Sequence, residues 1–178
     1  MDVGDVFTWD QYPYSNEETK RRWFVYLGEY KDNPDPFDNT SSIMIIAPTT
    51  TTQTQYYEPG EMRAGIPFVR FSPNEGFGFT EECILDLAHR GLVIPQDIFL
   101  ENLESQKIQI KGKISDQKLR EIYDKICHSR GYSLMLKRRI HENLNKTGIS
   151  NLPKPKRKKG RIKAQGVASL ILNFRLAG

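Results

Sequence analysis

The hydrophobic pattern of this chain changes period once, at Ser115, and that change limits the possible folds more than any other feature. Before it, apolar residues come in short extended runs. Residues 3–9 are rich in β-formers, and residues 23–27 form a second run that closes at Gly28. Residues 42–47 contain Ile43-Met44-Ile45-Ile46, the continuous apolar run of a strand covered on both faces. Residues 66–71, 82–88, 92–94 and 107–110 complete the series, with Cys83, Leu85 and Leu87 alternating along one of them. From Ser115 the spacing becomes helical: Leu119, Ile122, Tyr123 and Ile126 fall at i, i+3, i+4 and i+7. Ser115 is a good N-cap, Asp116 suits a first turn, and Gly131 supplies a stop, so residues 115–130 read as an amphipathic helix. A weaker amphipathic stretch over residues 133–145 sets Leu136, Ile140 and Leu144 on one face, and Gly148 ends it. The sum is a mainly β fold with a C-terminal helix, a twisted sheet or small barrel over residues 1–130. A helical, basic extension over residues 131–178 follows it.

Charge divides the chain at a similar place. Residues 137–178 hold 12 Lys and Arg against the single acid Glu142, whereas residues 1–136 hold 14 against 21 acids. An acidic body thus carries a basic tail, which bears on partners and encounter rather than on fold. The run Lys154-Pro155-Lys156-Arg157-Lys158-Lys159, with Arg161 and Lys163, reads as a nucleic-acid arm, as a contact for an acidic partner or the acidic body, or as a solvated extension. Cys83 and Cys127 are too few and too far apart for a disulfide framework, and neither belongs to a CxxC pair. His89, His128 and His141 are isolated, so neither a metal nor a cofactor is expected. No window approaches the ~20 apolar residues of a membrane span, and Met1 to Asp5 has no signal-peptide character. A soluble, cytoplasmic protein is the expectation.

Three sequence features stand in a fixed order. Gly4-Asp5-Val6 opens the first strand, which exits at Trp9-Asp10. Lys20-Arg21-Arg22 runs into the apolar strand Trp23-Phe24-Val25. The third strand delivers threonines in Ile45-Ile46-Ala47-Pro48-Thr49-Thr50. This order resembles the MazF/PemK family of toxin endoribonucleases. The resemblance continues in Cys83-Ile84-Leu85-Asp86-Leu87 and in Ile110-Lys111-Gly112-Lys113-Ile114-Ser115, the lead-in to the helix. It covers about three quarters of the chain. The chain departs from the family at Trp23, where a proline is usual, and in longer loops over residues 30–40 and 52–63.

The resemblance implies an SH3-like small β-barrel that works as a homodimer, cleaves single-stranded RNA without a metal, and is held in check by a protein antitoxin. Such cleavage proceeds by attack of the 2′-hydroxyl on the adjacent phosphorus. It requires a base, positive charge on the phosphoryl oxygens and a donor to the leaving oxygen. Arginine suits the second task because its fork matches two phosphate oxygens and keeps its charge. By the family motif Arg22 and Thr49 form the catalytic pair, with Lys20, Arg21 and Thr50 binding RNA and Glu17 or Glu18 as candidate bases. Taken without the resemblance, the basic run is a solvated strand entrance, the threonines are a polar loop, and Trp9 and Trp23 pack in the core or its rim. A non-catalytic nucleic-acid- or protein-binding module of the same fold is the alternative.

Overall fold

The run Ile43-Met44-Ile45-Ile46 lies in the middle of an antiparallel sheet, covered on both faces as its composition requires. The computed structural model describes residues 1–14, 21–31, 42–88 and 91–156. It contains seven strands: β1 (Asp5–Trp9), β2 (Arg22–Lys31), β3 (Ser42–Thr50), β4 (Phe68–Phe71), β5 (Cys83–Asp86), β6 (Leu92–Pro95) and β7 (Ile108–Lys113). Three helices accompany them: α1 (Gln96–Glu104), α2 (Asp116–His128) and α3 (Leu134–Lys146). The strand order is β4-β5-β3-β2-β1-β7, with β6 added alongside the first half of β3. The sheet curls into a half-barrel, so the fold is mainly β with a small-barrel character.

Strand alternation sorts the core into two clusters, one on each face of the sheet. Val6, Val25, Leu27, Ile45, Ala47 and Leu85 point to one face, where α2 and α3 cover them through Leu119, Ile122, Ile126, Leu136, Ile140 and Leu144. Phe7, Trp9, Phe24, Tyr26, Met44 and Ile46 point to the other, where α1 contributes Phe99. Because both faces are covered, β1 and β5 are buried at every position.

Helix α2 begins at the expected N-cap, with the Ser115 hydroxyl accepting from the Lys118 N–H at 3.3 Å, and buries Leu119, Ile122, Tyr123 and Ile126. Ser133 caps α3 in the same way, accepting from Leu136 N–H at 3.1 Å. Helix α3 lies beyond residue 130, yet its apolar face shares the core of the sheet.

Three features differ from the sequence reading. Strand β2 does not close at Gly28 but continues to Lys31. The register with β3 slips between Tyr26 and Gly28, so Leu27 is the extra residue of a bulge, and Gly28 takes a φ of 107° that favours glycine. Thr49 and Thr50 belong to β3 and pair with Leu85 and Ile84 of β5. Helix α1, not expected from the sequence, follows β6 after Pro95.

The bulge is where α3 attaches. Asn143, 6% exposed, donates its side-chain amide to the carbonyl of Glu29 at 3.0 Å and to that of Leu27 at 3.5 Å. A Cβ at Gly28 would collide with this amide. On the far side, the turn between β4 and β5 closes against β7 by backbone contact. A Cβ on Gly78 would stand 2.5 Å from the Lys111 carbonyl, and one on Gly112 would strike the Phe77 carbonyl. Among the described residues no helix is long and apolar enough to cross a membrane.

Asn143→Ala is expected to lower unfolding stability by about 1–3 kcal/mol, because it removes the buried amide that donates to the carbonyls of Leu27 and Glu29. Urea denaturation of the full chain measures this, and an unchanged midpoint would mean that the helix docks by apolar contact alone.

Candidate functional site

The two residues expected to form the catalytic pair stand at the rim where β3 parts from β2. Arg22 opens β2, half-buried and paired across the ladder with Trp9. By alternation it shares the face of Phe24 and Tyr26, next to the aromatic cluster of Trp9, Tyr12 and Phe24. Its charge acts on Tyr12. Burial, together with Tyr14, pushes that phenol up to about 12, and Arg22 opposes the rise. Tyr14, 55% exposed, stacks edge-on against Tyr12 at 5.6 Å and extends this cluster into solvent.

Thr49 is on the other face. It follows the alternation of Ile45 and Ala47, and its hydroxyl donates to the Trp23 carbonyl at 3.3 Å. Its nearest chemistry is the Cys83 thiol, which burial pushes up to about 12 while the bond to Thr49 pulls it down. The structure therefore brings Arg22 and Thr49 to one rim but not to one face. Carrying the β2–β3 register on from Phe24 and Pro48 aligns Trp23 with Thr49 and Arg22 with Thr50. Thr50 shares the Arg22 face, and its hydroxyl donates to the Thr52 carbonyl at 3.0 Å in a local turn that ends the strand.

Arg21 is exposed and makes a two-pronged ion pair with Asp10 at 2.6 and 3.0 Å. Hydrogen bonding to Arg21 holds the Asp10 carboxyl below the usual carboxylate range. Both line an open depression of about 590 Å³ with Gln11, Ser105, Gln106 and Lys107. The RNA-binding candidate Lys20 and the base candidates Glu17 and Glu18 lie outside the described residues. Trp9 is fully buried, with its indole N–H donating to Asn102 at 3.3 Å, and Trp23 packs on Phe79 at 5.5 Å, so both tryptophans are packing residues.

A polar cluster that the sequence did not signal fixes the excursion between β3 and β4. The Tyr57 hydroxyl donates to Asp86 at 2.7 Å and accepts from the Arg63 guanidinium at 3.0 Å, while its ring packs on Phe68 at 5.0 Å. Arg70 binds Glu58 at 2.6 Å and also pairs with Glu82. The adjacent Tyr56-Tyr57 in an otherwise polar stretch was the available hint that this loop is anchored. Among the described residues no group of three His, Cys, Asp or Glu side chains could hold a metal ion. No protein-family profile matches the chain, and no curated protein matches its sequence.

Burial and the bond to Asp86 raise the Tyr57 phenol from an ordinary 10 to about 12. A raised folded value means that the contribution to stability is complete below pH ~10 and is lost as pH rises through about 12. Tyr57→Phe is expected to cost about 1–3 kcal/mol at neutral pH by leaving Asp86 short of a donor, and to flatten the fall in stability above pH ~10. Urea midpoints at pH 7 and pH 11 measure both effects. A variant with wild-type midpoints at both would show that the loop is held without this bond.

Proposed function

We propose that the chain is a metal-independent endoribonuclease of the MazF/PemK type, cutting single-stranded RNA at the β2–β3 rim. The observation that supports this reading best is the position of Arg22. It stands at the head of β2 on the rim of a curled antiparallel sheet, near Tyr12, which the exposed Tyr14 stacks against, with the threonine end of β3 just past the last β2–β3 pair, Phe24 and Pro48. A guanidinium there suits the phosphoryl oxygens, and the exposed Tyr14 stacked on Tyr12 suits an unstacked base.

In this reading the 2′-hydroxyl of the substrate attacks the neighbouring phosphorus. The bond from phosphorus to the 5′-oxygen breaks, leaving a 2′,3′-cyclic phosphate and a 5′-hydroxyl. Arg22 stabilises the charge that gathers on the phosphoryl oxygens. A threonine hydroxyl can donate to the same oxygens once it leaves its backbone partner. Thr50 is better placed for that than Thr49, since it shares the face of Arg22. The SH3-like barrel, a homodimer with an RNA groove and a blocking antitoxin come with the same reading.

A second reading rests on a specific observation. Both threonine hydroxyls are engaged by backbone carbonyls, and Thr49 faces away from Arg22. A non-catalytic binding module of the same fold needs no such pair to converge.

Incubation of the purified protein with a long unstructured RNA in excess EDTA separates the two readings. The enzyme yields fragments ending in cyclic phosphate, and the module yields none. Arg22→Ala is expected to keep its fold and lose roughly a hundred- to a thousand-fold in cleavage rate, the usual cost of one transition-state donor. Thr50→Ala is expected to lose more than Thr49→Ala. Cleavage that disappears in EDTA, returns with magnesium and leaves 5′-phosphates would refute the mechanism.

A further inference from the structure

Several cations of the described residues are engaged in ion pairs. Arg21 pairs with Asp10, Arg70 with Glu58 and Glu82, Lys113 with Asp2, Lys118 with Glu75 and Glu121, and Arg139 with Glu142. Like Lys31, Lys107, Lys111, Lys125 and Arg130, the residues Arg138, Lys146, Lys154 and Lys156 make no ion pair among the described residues, but these four lie together on α3 or just after it, and three of them line one depression.

The segment after α3 is fastened rather than trailing. Gly148, at φ 92°, turns the chain back, and Ile149 is buried. Residues 150–156 then cross α2 and α3 as a strap held by its own carbonyls. The Arg120 guanidinium donates to Ser150 O at 2.7 Å, and the Tyr123 hydroxyl donates to Pro153 O at 2.7 Å. The His141 ring nitrogen Nε2 lies 3.3 Å from Leu152 O, and the Leu152 side chain packs on the core. These bonds set Lys154 and Pro155 beside Arg138, His141 and Lys146, around an open depression of about 560 Å³. Glu142 also borders it, with its charge met by Arg139 at 3.0 Å.

We propose that α3 and this strap form a second nucleic-acid surface, which tracks the phosphate backbone of a single strand. It lies on the α2–α3 side of the sheet, whereas Arg22 belongs to the opposite face. The pinned strap holds its cations in place before binding, so less chain entropy is lost on contact than a loose tail would lose. Arg157, Lys158, Lys159, Arg161 and Lys163 of the basic tail lie outside the described residues. Residues 1–136, with 14 Lys and Arg against 21 acids, repel a polyanion, so affinity falls to the basic side of the chain.

The test uses the full chain with fluorescent single-stranded 20-mers of DNA and of 2′-O-methyl RNA. Neither probe carries a free 2′-hydroxyl, so binding is read apart from any cleavage. Each phosphate neutralised adds about 0.7 to the logarithmic salt slope. The triple variant R138Q/K146Q/K154Q is therefore expected to lower that slope by about two and to weaken binding roughly tenfold or more at low salt. Tyr123→Phe keeps every cation but frees the Pro153 anchor, and is expected to weaken binding a few-fold at unchanged slope. The DNA and RNA arms show which backbone is preferred. Wild-type slope and affinity in the triple variant would overturn the proposal. Competition by polyglutamate as effective as that by an unlabelled oligonucleotide would also overturn it, in favour of an acidic protein partner.

Discussion

Strand β3 has three partners, and the architecture depends on how it divides itself among them. Along one edge it pairs with β2 from Ser42 to Pro48. Along the other it pairs first with β6, through Ile43 to Ile46, and then with β5, through Thr49 and Thr50. Pro48 lies at the changeover. A proline has no N–H to give, so a break in the ladder is cheapest there. The consequence is a sheet that curls rather than extends, with β5 and β4 carried round toward the helices. The turn through Gly78 meets β7 at Gly112, and the half-barrel is closed there by backbone rather than by side chains.

Much of this was legible in the sequence, because burial imposes a period. Helix α2 and its cap at Ser115 follow from spacing alone, and α3 from the same rule applied to a weaker pattern. The strands of residues 5–9 and 42–47 were visible because one is rich in β-formers and the other is apolar without interruption. What was not legible has identifiable causes. Gly28 looks like a terminator in one dimension, but Asn143 from 115 residues away holds the carbonyls of its bulge. Helix α1 buries only Phe99 fully, so it leaves almost no periodic trace. The threonines look like a polar loop because their strand pairing is with β5, a partner that becomes known only in three dimensions.

The candidate site shows the same division. Arg22 and the threonine end of β3 lie at one rim of the sheet. A motif read along the chain does not show which side of a pleat each residue takes, and one position of offset reverses the face. Arg22 and Thr49 differ in that respect, whereas Arg22 and Thr50 do not. The aromatic pair Tyr12 and Tyr14, of which Tyr12 feels the charge of Arg22, was likewise hidden, because a proline-containing turn folds back onto β1.

The two proposed surfaces lie on opposite sides of one sheet: a rim with Arg22, aromatics and hydroxyls, and a patch on α3 and the strap whose cations make no ion pair among the described residues. In the proposed reading the first contacts a particular phosphate and base, and the second attracts a backbone without reading it. The most direct measurement is amide chemical-shift mapping of the full chain with a 2′-O-methyl RNA 12-mer. Shifts are predicted at Trp9, Arg22, Trp23, Thr50 and Thr52, with a second, salt-sensitive group on α3 and residues 150–156. An unperturbed rim at saturating RNA would contradict the account, since no chemistry at Arg22 is possible on a strand that does not reach it.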